Sequence, residues 1–366
     1  MVCVSSPGLS AQIERYPVPA LPHRAVIDDF NGNGWPDIAV VSKYSDVTIF
    51  FDPGSRNGNR TLTLKAYFQP ISLSVGDFNA DGINDLIPIT ETLIGPFFLA
   101  DGKGNFQKID LKLYTPPFAS FIEAGDLNND KFDDLVVTGI GGAGPYVYIN
   151  KQNGSFETIM VPLKGEEGKI KAGKPDDIKN VRVVSHHLTL IDLTSDGSKD
   201  ILVPDELRGS LWLIQNKGKT FEPVEIFHEE NTIAKTVASY RSKNAIIIIL
   251  VLQKAQGMEL VFMEGNSWPF PITKRIQLPN FISHLEIADM DNDGYPEILC
   301  LLQKNSRSFI SLYMYNNFNA PVYEFPVSGP LSFAVADIDR DGFNDIIIPD
   351  YSENTLSIVY SPLKKK

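Results

Sequence analysis

Short apolar runs alternate with clusters of Asp, Asn, Gly and Ser along the chain, and no stretch carries a competing helical period. Residues 38–41, 135–137 and 346–348 are such runs, of strand length and rich in β-branched side chains. Each predicts a strand that follows a polar loop. The segments before those loops, 74–76, 123–125 and 334–336, carry small residues, as suits strands crowded around a common axis. A third strand, as at 146–150 or 211–215, ends in an Asn/Gly/Lys turn, and a fourth opens on an aromatic, as at Phe106, Phe156 and Phe221. Four short strands per unit is the content of a propeller blade.

The unit is marked by a nine-residue phrase. It reads Asp29-Phe-Asn-Gly-Asn-Gly-Trp-Pro-Asp37, Asp77-Phe-Asn-Ala-Asp-Gly-Ile-Asn-Asp85 and Asp126-Leu-Asn-Asn-Asp-Lys-Phe-Asp-Asp134. It returns as Asp192-Leu-Thr-Ser-Asp-Gly-Ser-Lys-Asp200, Asp289-Met-Asp-Asn-Asp-Gly-Tyr-Pro-Glu297 and Asp337-Ile-Asp-Arg-Asp-Gly-Phe-Asn-Asp345. The first residues are 48, 49, 66, 97 and 48 positions apart, and 97 is close to two periods, so one copy has been lost near residue 240. Residues 237–246 keep the flanking strand pattern there without an acidic side chain.

Seven units result. The fold predicted is all-β: a seven-bladed β-propeller of four-stranded antiparallel blades over residues 12–361, with blade 5, about 229–279, lacking the loop. The last unit runs out after its third strand, near Tyr360, and residues 12–18 precede the first unit as fourth strands precede later ones. They are expected to complete the last blade and close the ring, which removes two exposed sheet edges. Residues 1–11 form an N-terminal tail that resembles the polar end of a secretory signal, and 362–366 a basic tail.

The phrase supplies oxygen ligands at positions 1, 3, 5 and 9. These are Asp29, Asn31, Asn33 and Asp37; Asp77, Asn79, Asp81 and Asp85; Asp126, Asn128, Asp130 and Asp134; Asp192, Thr194, Asp196 and Asp200; Asp289, Asp291, Asp293 and Glu297; and Asp337, Asp339, Asp341 and Asp345. Calcium takes six to eight hard oxygens at flexible geometry, and such a loop provides most of them. Glycine at position 6 allows the positive φ that folds the loop back on an ion. An EF-hand loop begins alike but places its bidentate glutamate at position 12, between helices. Asp/Asn/Gly turns could join the strands by themselves, yet packed carboxylates repel one another without a cation. The copies from Asp77, Asp289 and Asp337 are the most complete; Asn33, Lys131 and Thr194 weaken the others, and in the lost copy Arg241 and Lys243 stand where a fixed cation could replace a metal.

These loops at this spacing resemble the FG-GAP/VCBS repeats of the integrin α-subunit propeller and its secreted relatives. The resemblance implies up to six Ca2+ ions at the residues named, on the face where first strands pass to second. It implies a ligand on the opposite face, at residues 42–46, 90–96, 139–145, 204–210, 303–308 and 350–355. The charged insertion 164–180, which accounts for the 66-residue spacing, belongs to that face as well.

Charge narrows the function further. The balance of 33 basic against 45 acidic residues, a formal −12, excludes a nucleic-acid backbone as partner, and six divalent ions would cancel it. The longest apolar run, 246–252, is far below the roughly 18 residues of a membrane span. Cys3 and Cys300 make neither a disulfide framework nor a zinc site. His186 and His187 are expected on one strand, pointing to opposite faces. With no catalytic motif in view, the expectation is no enzyme but a calcium-stabilised binding or adhesion module, extracellular, periplasmic or at the cell surface, with a protein or glycan ligand. A lectin would show aromatic platforms among Tyr44, Tyr146, Tyr351, Trp35, Trp212 and Trp268 gathered on one face. An enzyme would show unpaired carboxylates at the channel mouth.

Overall fold

The computed structural model describes residues 11–363 apart from 45, 56, 57, 59, 112, 164–182, 195, 219 and 244. Among these residues every regular element is a strand, and the strands form seven antiparallel sheets in chain order. Blade 1 sets the pattern: Pro22–Asp28 innermost, then Asp37–Ser42, Asp46–Phe50 and Thr61–Lys65 outermost. Blade 2 adds the short strands Leu93–Ile94 and Leu113–Tyr114, and blade 3 adds Val183–Val184 beside the far end of Asp134–Gly142. The seventh blade holds Ala334–Ala336, Asp345–Asp350 and Thr355–Val359, and its fourth strand is Ile13–Pro17, paired antiparallel from Ile13↔Val359 to Pro17↔Thr355. The N-terminal segment closes the ring as expected.

The core is seven separate clusters, one at each junction of neighbouring blades, including that of the seventh with the first. Strand periodicity explains the division. Successive side chains point to opposite faces, so a blade packed on both sides must be apolar at every position of its second strand. In Ile246–Lys254 of blade 5, Ile246, Ile248, Leu250 and Leu252 pack toward blade 4. Ile247, Ile249 and Val251 pack toward blade 6. The unbroken run at 246–252 is thus a strand buried on both faces. Cys300 is buried as a free thiol in the cluster between blades 5 and 6, and burial raises its pKa to about 12.

Four inner strands carry a β-bulge at one depth. The pairing skips His23 in blade 1, Ser120 in blade 3, Lys235 in blade 5 and Ser283 in blade 6. Nothing in the hydrophobic pattern announces them. Blade 5 differs also at its other end: Ile233–Arg241 and Ile246–Lys254 are joined by a tight turn closed from Ser242 to Ala245, in place of an acidic loop.

Deleting residues 1–18 removes Ile13–Pro17 and the buried Val18, baring the edge of Thr355–Val359. The melting temperature should fall by about 10 °C or more in calorimetry; an unchanged transition would refute closure by this strand.

Candidate functional site

Each acidic loop is first of all a knot of carboxylates on backbone N–H groups. The first aspartate accepts from the amides of positions 5 and 6: Asp77 from Asp81 and Gly82, Asp289 from Asp293 and Gly294, Asp337 from Asp341 and Gly342. Position 5 accepts from position 7, as Asp130 does from Phe132 and Asp341 from Phe343. Two residues per loop are left-handed. Position 6 is, as expected, at φ 84° to 91° in Gly82, Gly197, Gly294 and Gly342, where an added Cβ would meet nothing within 4 Å. The glycine serves conformation and not space, and Lys131 takes the same twist at φ 75°. Position 4, which the sequence did not single out, is left-handed in Gly32, Ala80, Asn129, Asn292 and Arg340.

The ninth position has a role beyond the one expected of it. Asp85 accepts from the buried amides of Phe78 and Ala100, at 3.1 and 2.8 Å, so it ties the start of the loop to the end of the third strand. Asp37, Asp134, Asp200 and Asp345 make the same pair of bonds. Glu297 makes only the first, to Met290, and its Oε1 has no hydrogen-bond partner. All six are fully or nearly fully buried. Burial, with the neighbouring acids adding to it, pushes Asp37, Asp85, Asp134, Glu297 and Asp345 up to about 7.

Two loops gather three acids. Asp289, Asp291 and Glu297 bring carboxylate oxygens within 4.8 Å of one another, and Asp337, Asp339 and Asp345 do the same. These groups could hold a metal ion, and the donor set fits a hard cation: oxygens only, one of them the unpartnered Glu297 Oε1. The loop from Asp192 leaves Oδ1 of that residue likewise without a partner. In the first loop amides take up the charge instead. Asn31 Nδ2 donates to both oxygens of Asp37, and Asn31 and Asn33 both donate to Asp52. In the loop from Asp77, Asn79 donates to Asp81.

Position 8, unnoticed in the sequence, links three of the loops to the blade before them. Asn84 donates to Asp28, Asp133 exchanges two bonds with the backbone of Asp77, and Asn344 donates to the carbonyl of Asp289. Where blade 5 lacks the loop, Arg241 makes the link by donating to the carbonyl of Asp192. Its guanidinium holds the neighbouring loop and does not stand in for an ion.

The opposite face has another character. Of the eleven exposed large apolar side chains among the described residues, eight lie in its loops or on the strand segments bordering them: Tyr44, Phe68, Tyr114, Phe118, Ile140, Leu207, Phe281 and Leu331. Phe68, Tyr114 and Phe118, at 67%, 68% and 62% exposure, follow one another around blades 1 to 3. The aromatic set marked in the sequence is scattered. Trp212 is buried, while Trp35 and Trp268 lie toward the acidic-loop side. The insertion 164–180 lies outside the described residues, as do most of the two tails and Ser195 of the fourth loop.

His186 and His187 require a correction. They lie between the strands Val183–Val184 and Thr189–Ile191, not on a strand, because the chain is crossing from blade 3 to blade 4. His186 pairs with Glu206 at 2.5 Å, whereas the His187 ring lies 4.6 Å from that of Phe121.

The fold and loops together define a seven-bladed propeller with acidic turns on one face. Residues 29–87 and 289–348 match the family model described as FG-GAP-like repeat, so the protein carries FG-GAP-like repeats in two regions, consistent with the FG-GAP propeller family. The first matched region contains the loops from Asp29 and Asp77, and the second contains both three-acid loops, from Asp289 and Asp337. Among solved structures, one described as BBS1N in complex with ARL6DN, soaked with lead, is 12% identical with a TM-score of 0.63 and covers 99% of this chain and 99% of its own. The same complex soaked with mercury is 11% identical, also at 0.63, covering 98% of this chain and 99% of its own. At such identity the likeness shows the fold. No curated protein matches in sequence.

Two measurements follow from the loop chemistry. Asp85→Ala strands two buried amides and should cost about 2–5 kcal/mol of stability in calorimetry, with metal or chelator alike; a cost that vanishes in chelator would make Asp85 a ligand alone. The second concerns pH. A carboxyl raised to about 7 when folded binds more protons than in the unfolded chain between its ordinary value and 7. In chelator the melting temperature should therefore rise as pH falls from 8 to 5.5. His23 and His187, lowered by burial, oppose this, but two imidazoles face five carboxyls. A flat or inverted profile in chelator would refute it.

Proposed function

We propose that this protein is a calcium-stabilised binding module that takes a protein ligand on the face opposite its acidic loops. The observation that carries the reading is the placement of eight of eleven exposed large apolar residues on that face. Exposed apolar patches of this kind mark interaction surfaces, and Tyr and Phe are favoured anchors within them. The similar propeller structure described as a complex with ARL6DN supports a protein partner. At the channel mouth the carboxylates are engaged, Glu123 with Arg24 at 2.8 Å and Glu286 with His284 at 3.0 Å, which favours binding over catalysis.

In this reading calcium is structural. It sits first in the loops from Asp289 and Asp337, where it would offset the repulsion among converged acids; bound metal stabilises only the folded state. Loops of this kind suit the millimolar calcium of an extracellular, periplasmic or cell-surface setting.

A photo-crosslinker placed at Phe118 in the native setting, with Tyr295 of the acidic face as control, identifies the partner. With that partner purified, Phe68→Ser/Tyr114→Ser/Phe118→Ser should weaken binding at least about tenfold while Tyr295→Ser does not; equal effects would overturn the choice of face. Calorimetry should also show a melting temperature raised by calcium over chelator, with the rise reduced in Asp339→Asn. A rise unchanged in that variant would remove calcium from the Asp337 loop.

A further inference from the structure

The central channel holds a cavity of about 420 Å³ at the end away from the acidic loops, within the range of small-molecule sites. Four of the chain's five histidines stand on its wall: His23, His186, His187 and His284. The four bulge residues, His23, Ser120, Lys235 and Ser283, stand there as well. A bulge frees one residue from the ladder and re-aims its side chain. In the other three blades the inner strand begins only beyond this depth, at Ser72, Thr189 and Ala334, so each inner strand that reaches it carries a bulge there.

The wall has polar groups left over. His23 Nε2, Arg24 Nη1, Ser72 Oγ, His187 Nδ1 and Thr236 Oγ1 are shut off from solvent and make no hydrogen bond within the protein. Buried polar groups are ordinarily paired, and five such atoms around one cavity set its chemistry. Arg24 and Lys235, by contrast, are already matched, by Glu123 and by Glu206 at 2.5 Å, and Glu286 meets His284 at 3.0 Å. What remains unmet is neutral hydrogen bonding of both kinds. Arg24 can only donate, Ser72 and Thr236 can do either, and His187, kept neutral by burial beside His284 and Arg24, offers a ring nitrogen as acceptor. An anion would bring acceptors alone and would face Glu123 and Glu286. A hydroxyl donates and accepts at once.

We propose that this cavity binds a small neutral polyhydroxylated molecule, a monosaccharide or cyclic polyol, held by His187, Arg24, Thr236 and the bulge residues. Phe121 and Phe333 back the same wall, with Arg24 and His187 against the first ring and His284 against the second, so the polar side chains and not the rings face the molecule. The unpaired atoms lie just behind the wall, so binding in this proposal has the His187 imidazole and the Thr236 hydroxyl turn about their side-chain bonds to present them, while Arg24 stays held by Glu123 and Phe121. The site shares Leu331 with the apolar residues around the channel mouth but does not depend on a protein partner.

The test uses the full chain in calcium. Glucose, galactose, mannose and myo-inositol, at tens of millimolar, are compared with citrate and inorganic phosphate by thermal shift and then by titration calorimetry. At least one polyol should raise the melting temperature and bind one to one, with affinity at least about tenfold weaker in both His187→Phe and Thr236→Val. The second variant is nearly isosteric, so it keeps the test informative if the first folds poorly. Binding of citrate or phosphate alone would overturn the proposal in favour of an anion site. No binding by any of the polyols would overturn it in favour of a channel filled by water only. Polyol binding that survives both substitutions would place the site elsewhere and overturn it equally.

Discussion

Every blade in this protein is stable only between two others. Its sheet is apolar on both faces, and each junction cluster draws side chains from two blades, so no blade has a core of its own. The hydrophobic effect therefore acts around the ring, and a ring must close for the last junction to form. Closure falls to Ile13–Pro17, five residues that supply the outer strand of blade 7 while Val18 enters the cluster between blades 7 and 1. A short segment of modest hydrophobicity thus governs burial at two distant parts of the sequence.

The acidic loops solve a problem that this arrangement creates. The first and second strands of a blade are antiparallel neighbours and must be joined by a reversal whose amides cannot all reach the ladder. Carboxylates at positions 1, 5 and 9 accept those amides, and the ninth reaches a further amide at the end of the third strand. Position 8 then ties one knot to the next. Burying the ninth carboxyl, with further acids crowded beside it, raises the cost of keeping it charged, as the upward shifts at Asp85 and Asp345 show. A cation could reduce that cost where three acids converge, and amides do so in the first loop, where Asn31 and Asn33 donate to Asp37 and Asp52. Blade 5 avoids the cost altogether with a tight turn and a single arginine.

The period of the phrase was enough to reveal the blade count, the lost copy and the closing strand, because each is fixed by local pattern and spacing. The strands at 146–150 and those opening at Phe106, Phe156 and Phe221 stand where the alternation put them. What was illegible depends on partners distant in sequence. Asp85 reads as a ligand, and its structural role appears only when Ala100 is seen to donate to it; Asn84 reads as a spacer until Asp28 appears beside it. The bulges at His23, Ser120, Lys235 and Ser283 arise from pairing register, which no single strand discloses. His187 was misplaced onto a strand because apolar residues flank it, though they belong to two different blades.

The pairing of Ile13 with Val359 has an architectural consequence. The two residues sit side by side at the acidic-loop end of blade 7, so a chain continuing past either one departs from that side of the disc. Any linker, anchor or neighbouring domain joined at either end would hang from the acidic-loop side. The apolar side would then point away from the attachment, oriented toward whatever approaches from beyond it.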